Sequence, residues 1–302
     1  MKIGVTSGAA AANNLAAVVA RAKQLEAAGF PTMWMVQGFG HDAINALSIA
    51  GCATSRIELG TSVTPIQPRH PVALAQQALT AATATGGRFT LGIGLSHKMM
   101  IEDMLGLSYE KPASHMREYL AVLGPLLKGE RASHTGGRYK VKAGIDIADA
   151  PGPVSVLLAA LGPVMLNLAG ALADGTITWL TGFNTLEKHI TPLITRAARD
   201  AGRSAPRIVA GLPILLTSDP DNARQSLAKQ LKFYDALPSY RAMMDREGAA
   251  SAADTAILGG ENVLDAALAR LRDIGVTDFR ASITSIGGDS EQRTIDYLAS
   301  KL

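Results

Sequence analysis

Ile57-Glu58-Leu59-Gly60-Thr61-Ser62-Val63-Thr64-Pro65-Ile66 is a short apolar run that ends in small and polar residues. Arg69-His70-Pro71 follows and opens an Ala/Leu/Gln-rich helix over 72–83, with Pro71 in the first turn, where its missing N–H costs nothing. Arg88-Phe89-Thr90-Leu91-Gly92-Ile93-Gly94-Leu95-Ser96-His97 is a second apolar run. Strand, helix and strand in that order imply a right-handed crossover between two parallel strands. In a parallel barrel the carboxyl ends of the strands form the active face. Thr61-Ser62-Val63-Thr64 and Gly94-Leu95-Ser96-His97 therefore sit where chemistry is expected.

The same alternation extends in both directions. Upstream, strands are predicted over 2–6 and 32–37, with helices over 15–28 (closed by Gly29) and 43–54. Downstream, strands are predicted over 154–160, 175–180, 207–216 and 278–283, with helices over 163–173, 186–201 and 262–274 between them and 291–302 closing the chain. The rhythm is broken twice. An irregular, Met-rich stretch over 98–112 precedes a helix over 114–128 with Ser114 as its N-cap, and Gly136 to Lys142 resembles half of a hairpin. The long, largely helical segment 221–260, broken at Pro238, exceeds what a barrel repeat needs and is predicted to pass over one end. Eight parallel strands predict an α/β fold, a (β/α)8 TIM barrel with insertions after strands 4 and 7, as one domain over 1–302. A doubly wound open sheet is the alternative.

Composition narrows the functional classes. Of 302 residues 47% are hydrophobic and 18% charged, which describes a globular chain with a large core. The formal net charge of +3 and an aromatic content of 5%, with no basic stripe, argue against nucleic acid. Cys52 is the one cysteine, so no intrachain disulfide forms, and a buried structural thiol in a reducing cytoplasm is expected. The chain begins almost directly in a strand, with no secretory leader to be read there. The run 154–173 has the length of a membrane span, but Gly162-Pro163 interrupts it, so it parses as strand and helix and no membrane partner is expected.

Several standard sites are absent from the sequence. Gly92-Ile93-Gly94 lacks the last glycine of a dinucleotide fingerprint, no phosphate-binding loop of the Gly-x4-Gly-Lys type exists, and Gly94-Leu95-Ser96-His97-Lys98 is not a nucleophile elbow. The six histidines are scattered, with no metal-ligand spacing. Two strand ends do suggest a phosphate clamp: Ala160-Leu161-Gly162-Pro163 opens a helix, and Thr181-Gly182 ends the sixth strand. Glycine lets backbone N–H groups approach a phosphate, and a helix start adds favourable dipole charge. Ordinary turn glycines would leave the same trace.

Taken together, Ile57 to Val63, Arg69-His70-Pro71 with Ala75-Gln76-Gln77, Arg88 to Gly94, and Leu172-Ala173-Asp174-Gly175 carry a family likeness. The whole chain resembles the bacterial-luciferase-like flavin and deazaflavin oxidoreductases, and most of all their actinobacterial branch that uses coenzyme F-420. The resemblance implies a barrel with the isoalloxazine-like ring over the third strand and a non-proline cis peptide, here Ser62–Val63, in a bulge behind that ring. Cofactor contacts are accordingly expected for the ring at Ser62, Val63, Thr64 and Gly94, and for the phosphate at the clamp residues Leu161, Gly162, Thr181 and Gly182. The chain also departs from the sugar-phosphate dehydrogenases of that branch, with His97 in place of a glutamate and Gln37-Gly38 in place of Asp-His.

His97 is therefore the candidate catalytic residue, an imidazole able to give or take a proton near neutral pH; a surface or phosphate-neighbour role is its alternative. Gln37, His41, Met99 and Tyr240 are candidates for the substrate pocket, although each also fits a structural part. The expected function is a cytoplasmic oxidoreductase moving a hydride between coenzyme F-420 and a small organic substrate, with a homodimer as a compatible assembly. The rivals are an FMN-dependent monooxygenase with a partner reductase, and a non-catalytic flavin-binding barrel.

Overall fold

Eight parallel strands close on themselves: Lys2–Thr6, Thr32–Met35, Glu58–Thr61, Phe89–Gly94, Ser155–Leu158, Gly175–Trp179, Arg207–Leu216 and Asp278–Ile283. They are named first to eighth below. Lys2 of the first strand pairs with Asp278 of the eighth, and the seventh pairs with both the sixth and the eighth, so the sheet has no free edge across the chain's ends. An open doubly wound sheet is excluded by that closure. The structure, a computed structural model, describes residues 1–8 and 13–302.

Most elements form where local sequence dictates. Pro71 starts the helix Pro71–Ala84 and the His70 ring caps it, Nδ1 accepting from Val72 N at 3.3 Å. The 154–173 run resolves into a strand, Ser155–Leu158, and a helix, Pro163–Leu172; among the described residues no helix is long and apolar enough to cross a membrane.

Four local expectations change. The helix expected from Ser114 begins at Pro112, because Lys111 takes a left-handed φ of 47° and proline then occupies the first helical position. The Met-rich insertion contains a turn of π-helix, Met100–Met104. Within 221–260, beyond the helices Pro220–Asp235 and Pro238–Glu247, a short strand Ile257–Gly259 pairs with the last three residues of the seventh strand. At ten residues that strand outruns its barrel neighbours and leaves an edge to be covered. Cys52 is exposed, not buried: it ends the helix Ala43–Cys52, off the face that buries Ala43, Ala46, Leu47 and Ala50.

The interior of the barrel is layered. At the amino-terminal end, Arg207 Nη1 meets Glu58 Oε1 at 2.5 Å, and its Nε and Nη2 meet Asp278 at 3.0 and 2.6 Å. Above lies an apolar layer of Trp34, Leu157, Ile177 and Val209, with Val63 and Ala159 against it. Trp34 fits because Gly60 faces its indole; a Cβ there would collide with the ring. At the carboxyl end come Trp179 and Arg280, and Gly211 leaves the room that the Arg280 guanidinium occupies.

Candidate active site at the barrel mouth

The third strand breaks its ladder at the mouth. It pairs with the fourth at Leu59 and Gly60, loses register, and resumes pairing at Thr64 and Pro65. Between these points the Thr61 hydroxyl takes over the ladder, donating to Gly92 O at 2.8 Å and accepting from Gly92 N at 2.9 Å. This is a bulge held by a side chain. The Ser62–Val63 peptide within it is cis, as the resemblance implies. The bulge lays Val63 over Gly94 and Ala159; a Cβ on Gly94 would lie 2.7 Å from Val63 Cγ2 and 3.1 Å from Ala159 Cβ. The result is a low apolar platform, with Thr64 Oγ1 buried beside it and without a partner.

His97 lies in the loop just past the end of the fourth strand, among aromatic rings. Its ring centroid is 5.7 Å from that of Phe233, 6.2 Å from Tyr234 and 5.9 Å from Tyr240. Both helices of the long excursion thus reach the mouth, and the structure brings His97 and Tyr240 together. Burial among these rings disfavours the imidazolium and lowers the His97 pKa below its ordinary 6.5. Burial raises the Tyr240 phenol too, keeping it protonated.

The two parts of the predicted clamp differ. Gly162 precedes the helix Pro163–Leu172; no side chain caps that start, and a Cβ on Gly162 would meet open space. His189 Nε2 braces the preceding loop against Leu161 O at 2.8 Å. After Gly182 the N–H groups of the helix start are taken by the Glu247 carboxylate. It accepts from Asn184 N at 3.1 Å and from Thr185 N at 2.8 Å. The second cradle is therefore an anion site holding an anion of the chain itself.

The other candidates show no contact that marks them as site residues. Gln37 is tied into its own loop, with Oε1 accepting from Ala43 N at 2.9 Å and Nε2 donating to Gly38 O at 3.0 Å. His41 is exposed just before the next helix, and Met99 is 45% exposed in the insertion.

Arg280, by contrast, is a mouth residue that no motif announced. It is 3% exposed, lies 4.7 Å from the Trp179 ring centroid, and reaches Ser62 Oγ through a long 3.5 Å contact. Its Nε is buried without a partner. Burial pulls its pKa down to about 10, with only the Tyr240 and Tyr234 phenols opposing. A charged residue between Phe279 and Ala281 in an inward-facing strand was the one available signal.

A closed parallel α/β barrel with an apolar platform and a half-buried histidine at one mouth has the form of an enzyme scaffold. The chain belongs to the luciferase-like monooxygenase family, whose model matches residues 1–291. It is 28% identical over 211 residues to a 5,10-methylenetetrahydromethanopterin reductase of Methanolobus tindarius, covering 70% of this chain and 64% of that one. Among solved structures it resembles an F-420-dependent secondary alcohol dehydrogenase in complex with an F-420–acetone adduct (TM-score 0.83, 18% identity, 100% and 98% covered). It also resembles the FMN-bound oxygenating component of 3,6-diketocamphane monooxygenase from Pseudomonas putida (TM-score 0.78, 15% identity, 99% and 96% covered).

Proposed function

We propose that this protein transfers a hydride between coenzyme F-420 and a small organic substrate at the barrel mouth. The observation that carries this reading is the convergence of a side-chain-held bulge, an uncapped helix start and a half-buried imidazole at the carboxyl ends of the strands. The residues fit the cofactor on three counts: the platform of Val63, Gly94 and Ala159 suits a flat ring, Thr64 Oγ1 lacks a partner, and the start at Gly162 lacks a cap. A bound deazaflavin supplies two-electron hydride chemistry. Ser62, Val63, Thr64 and Gly94 would seat its ring and Leu161 and Gly162 its phosphate, which Thr181 and Gly182 would join only where it displaces Glu247.

The chain's own work is orientation, dryness and proton handling. Tyr234 and Tyr240, packed on each other and against His97, would keep water from the imidazole. His97, neutral at pH 7 because burial disfavours its charge, is poised to take a proton from an alcohol, or to return it in the reverse direction. Thr61 and Gly92 fix the bulge that sets where a ring could lie.

Titration of the purified protein with F-420 and with FMN, followed by ring fluorescence, tests the reading. The expected result is saturable F-420 binding at least tenfold tighter than FMN. Tighter FMN binding would move the protein to the monooxygenase branch, and binding of neither would remove both.

A further inference from the structure

Arg280 is a buried cation with no counter-ion among the described residues, in the place where substrate and cofactor would meet. Guanidinium carries five N–H donors, and burying such a group unpaired is expensive for a fold. Here one long contact to Ser62 Oγ is its hydrogen bond among the described residues, and Nε has none. At the other end of the same barrel Arg207 is held by two carboxylates, so this chain pairs a buried arginine where only stability is at issue. Around Arg280 the walls are flat: Trp179 lies over the guanidinium, its ring centroid is 6.4 Å from that of Tyr234, and Tyr234 lies 4.9 Å from Tyr240. Gly211 is required to admit the guanidinium, since a Cβ there would strike it.

We propose that Arg280 anchors the carboxylate of the substrate, and that the substrates are small organic acids bound beside the aromatic wall that Trp179, Tyr234 and Tyr240 form by packing edge to face. Arginine matches a carboxylate with two parallel N–H bonds, and in a dry site such a pair is strong. Because the guanidinium touches Ser62, an acid anchored on it lies beside the bulge platform. This inference deepens the proposed function by naming a substrate class for the same mouth, and it rests on that mouth being where substrate binds.

The test uses the full chain without cofactor. Benzoate and cinnamate are titrated against the matched neutral amides, benzamide and cinnamamide, with indole fluorescence and thermal shift as readouts. The expected result is acid binding at least tenfold tighter than amide binding, and a rise in melting temperature with acids only. In Arg280→Met the preference should fall below twofold, with a melting temperature equal to or above wild type, because no partner is left unpaired. Arg280→Lys should keep part of the preference, having the charge without the fork.

Equal binding of acid and amide by the wild-type protein overturns the proposal without recourse to any variant. So does an unchanged preference in Arg280→Met. If Arg280→Met instead loses affinity for reduced F-420 while the acid preference persists, Arg280 serves the cofactor ring and the proposal falls. An Arg280-dependent acid preference in a protein that binds neither F-420 nor FMN would sustain the proposal and remove the proposed function.

Discussion

His97 meets aromatic faces on three sides, and that environment decides which protonation state is useful. Burial lowers its pKa, so the neutral imidazole persists to lower pH than in a free histidine. In the alcohol-oxidising direction, where the neutral ring accepts the proton, kcat/KM should be flat at neutral pH and fall only below the ordinary value of 6.5. In the reducing direction, where the imidazolium donates, the rate should decline as pH rises through the same lowered pKa. His97→Ala should hold F-420 affinity within a few-fold of wild type and lose about 10²-fold or more in turnover, the usual scale for losing a general acid or base. Steady-state kinetics on a panel of alcohols, enones and imines reads this directly. Intact turnover with lost F-420 binding would make His97 a cofactor ligand, and full activity would mean that water supplies the proton.

Elements were legible where their signals are local. Pro71 and Gly29 punctuate helices, and apolar runs bounded by small residues give strands, so all eight barrel strands lie where the sequence puts them, within a few residues at their ends. What escaped is tertiary. His97 and Tyr240 belong to distant segments, and only the return of the excursion over the mouth joins them. Ile257–Gly259 is too short to announce itself and exists because the seventh strand leaves an edge. Glu247 is the clearest case: the cradle at Gly182 could be inferred from glycine and a helix start, but not the carboxylate that fills it. That carboxylate docks the helix Pro238–Glu247, whose Met243 carbonyl also accepts from Thr185 Oγ1 at 3.2 Å. Glu247→Gln should therefore lower stability by about 1 kcal/mol, the size of a lost helix cap. If the cofactor phosphate uses this cradle, the same variant should bind F-420 severalfold tighter, since a competing anion is gone. Unchanged affinity in the folded variant would assign the phosphate to Gly162 alone. Replacing Gly182 is the poorer test, because its Cβ would strike Glu247 and mix packing with binding.

Across the whole molecule the barrel separates two uses of buried charge. At the amino-terminal end Arg207 is held by Glu58 and Asp278, and Glu58 also accepts from Thr90 Oγ1 at 2.7 Å and from Lys2 Nζ at 3.0 Å. A satisfied buried network of this kind adds little over an apolar replacement, but breaking it by removing one partner strands the others. Arg207→Met should cost about 3–5 kcal/mol in denaturant unfolding at pH 7, because Asp278, 2% exposed, and Glu58 lose their cation. It should leave F-420 affinity unchanged, since the apolar layer around Trp34 lies between this network and the mouth. The pH dependence fixes the cause. Burial pushes the Glu58 pKa up, but the charge and hydrogen bonds of Arg207, with Thr90 and Lys2, outweigh it and hold the carboxyl below 4.5. A depressed carboxyl pKa contributes stability that is fully present above 4.5 and is lost as pH falls through the folded value. In Arg207→Met burial is no longer opposed by the guanidinium, so Glu58 protonates more readily and the stranded charge disappears on acidification. The stability gap between wild type and variant should accordingly narrow from pH 7 to pH 4. A gap of constant size would assign the loss to packing against Trp34, whose ring centroid lies 5.4 Å from the Arg207 guanidinium carbon, instead of to the ion pairs.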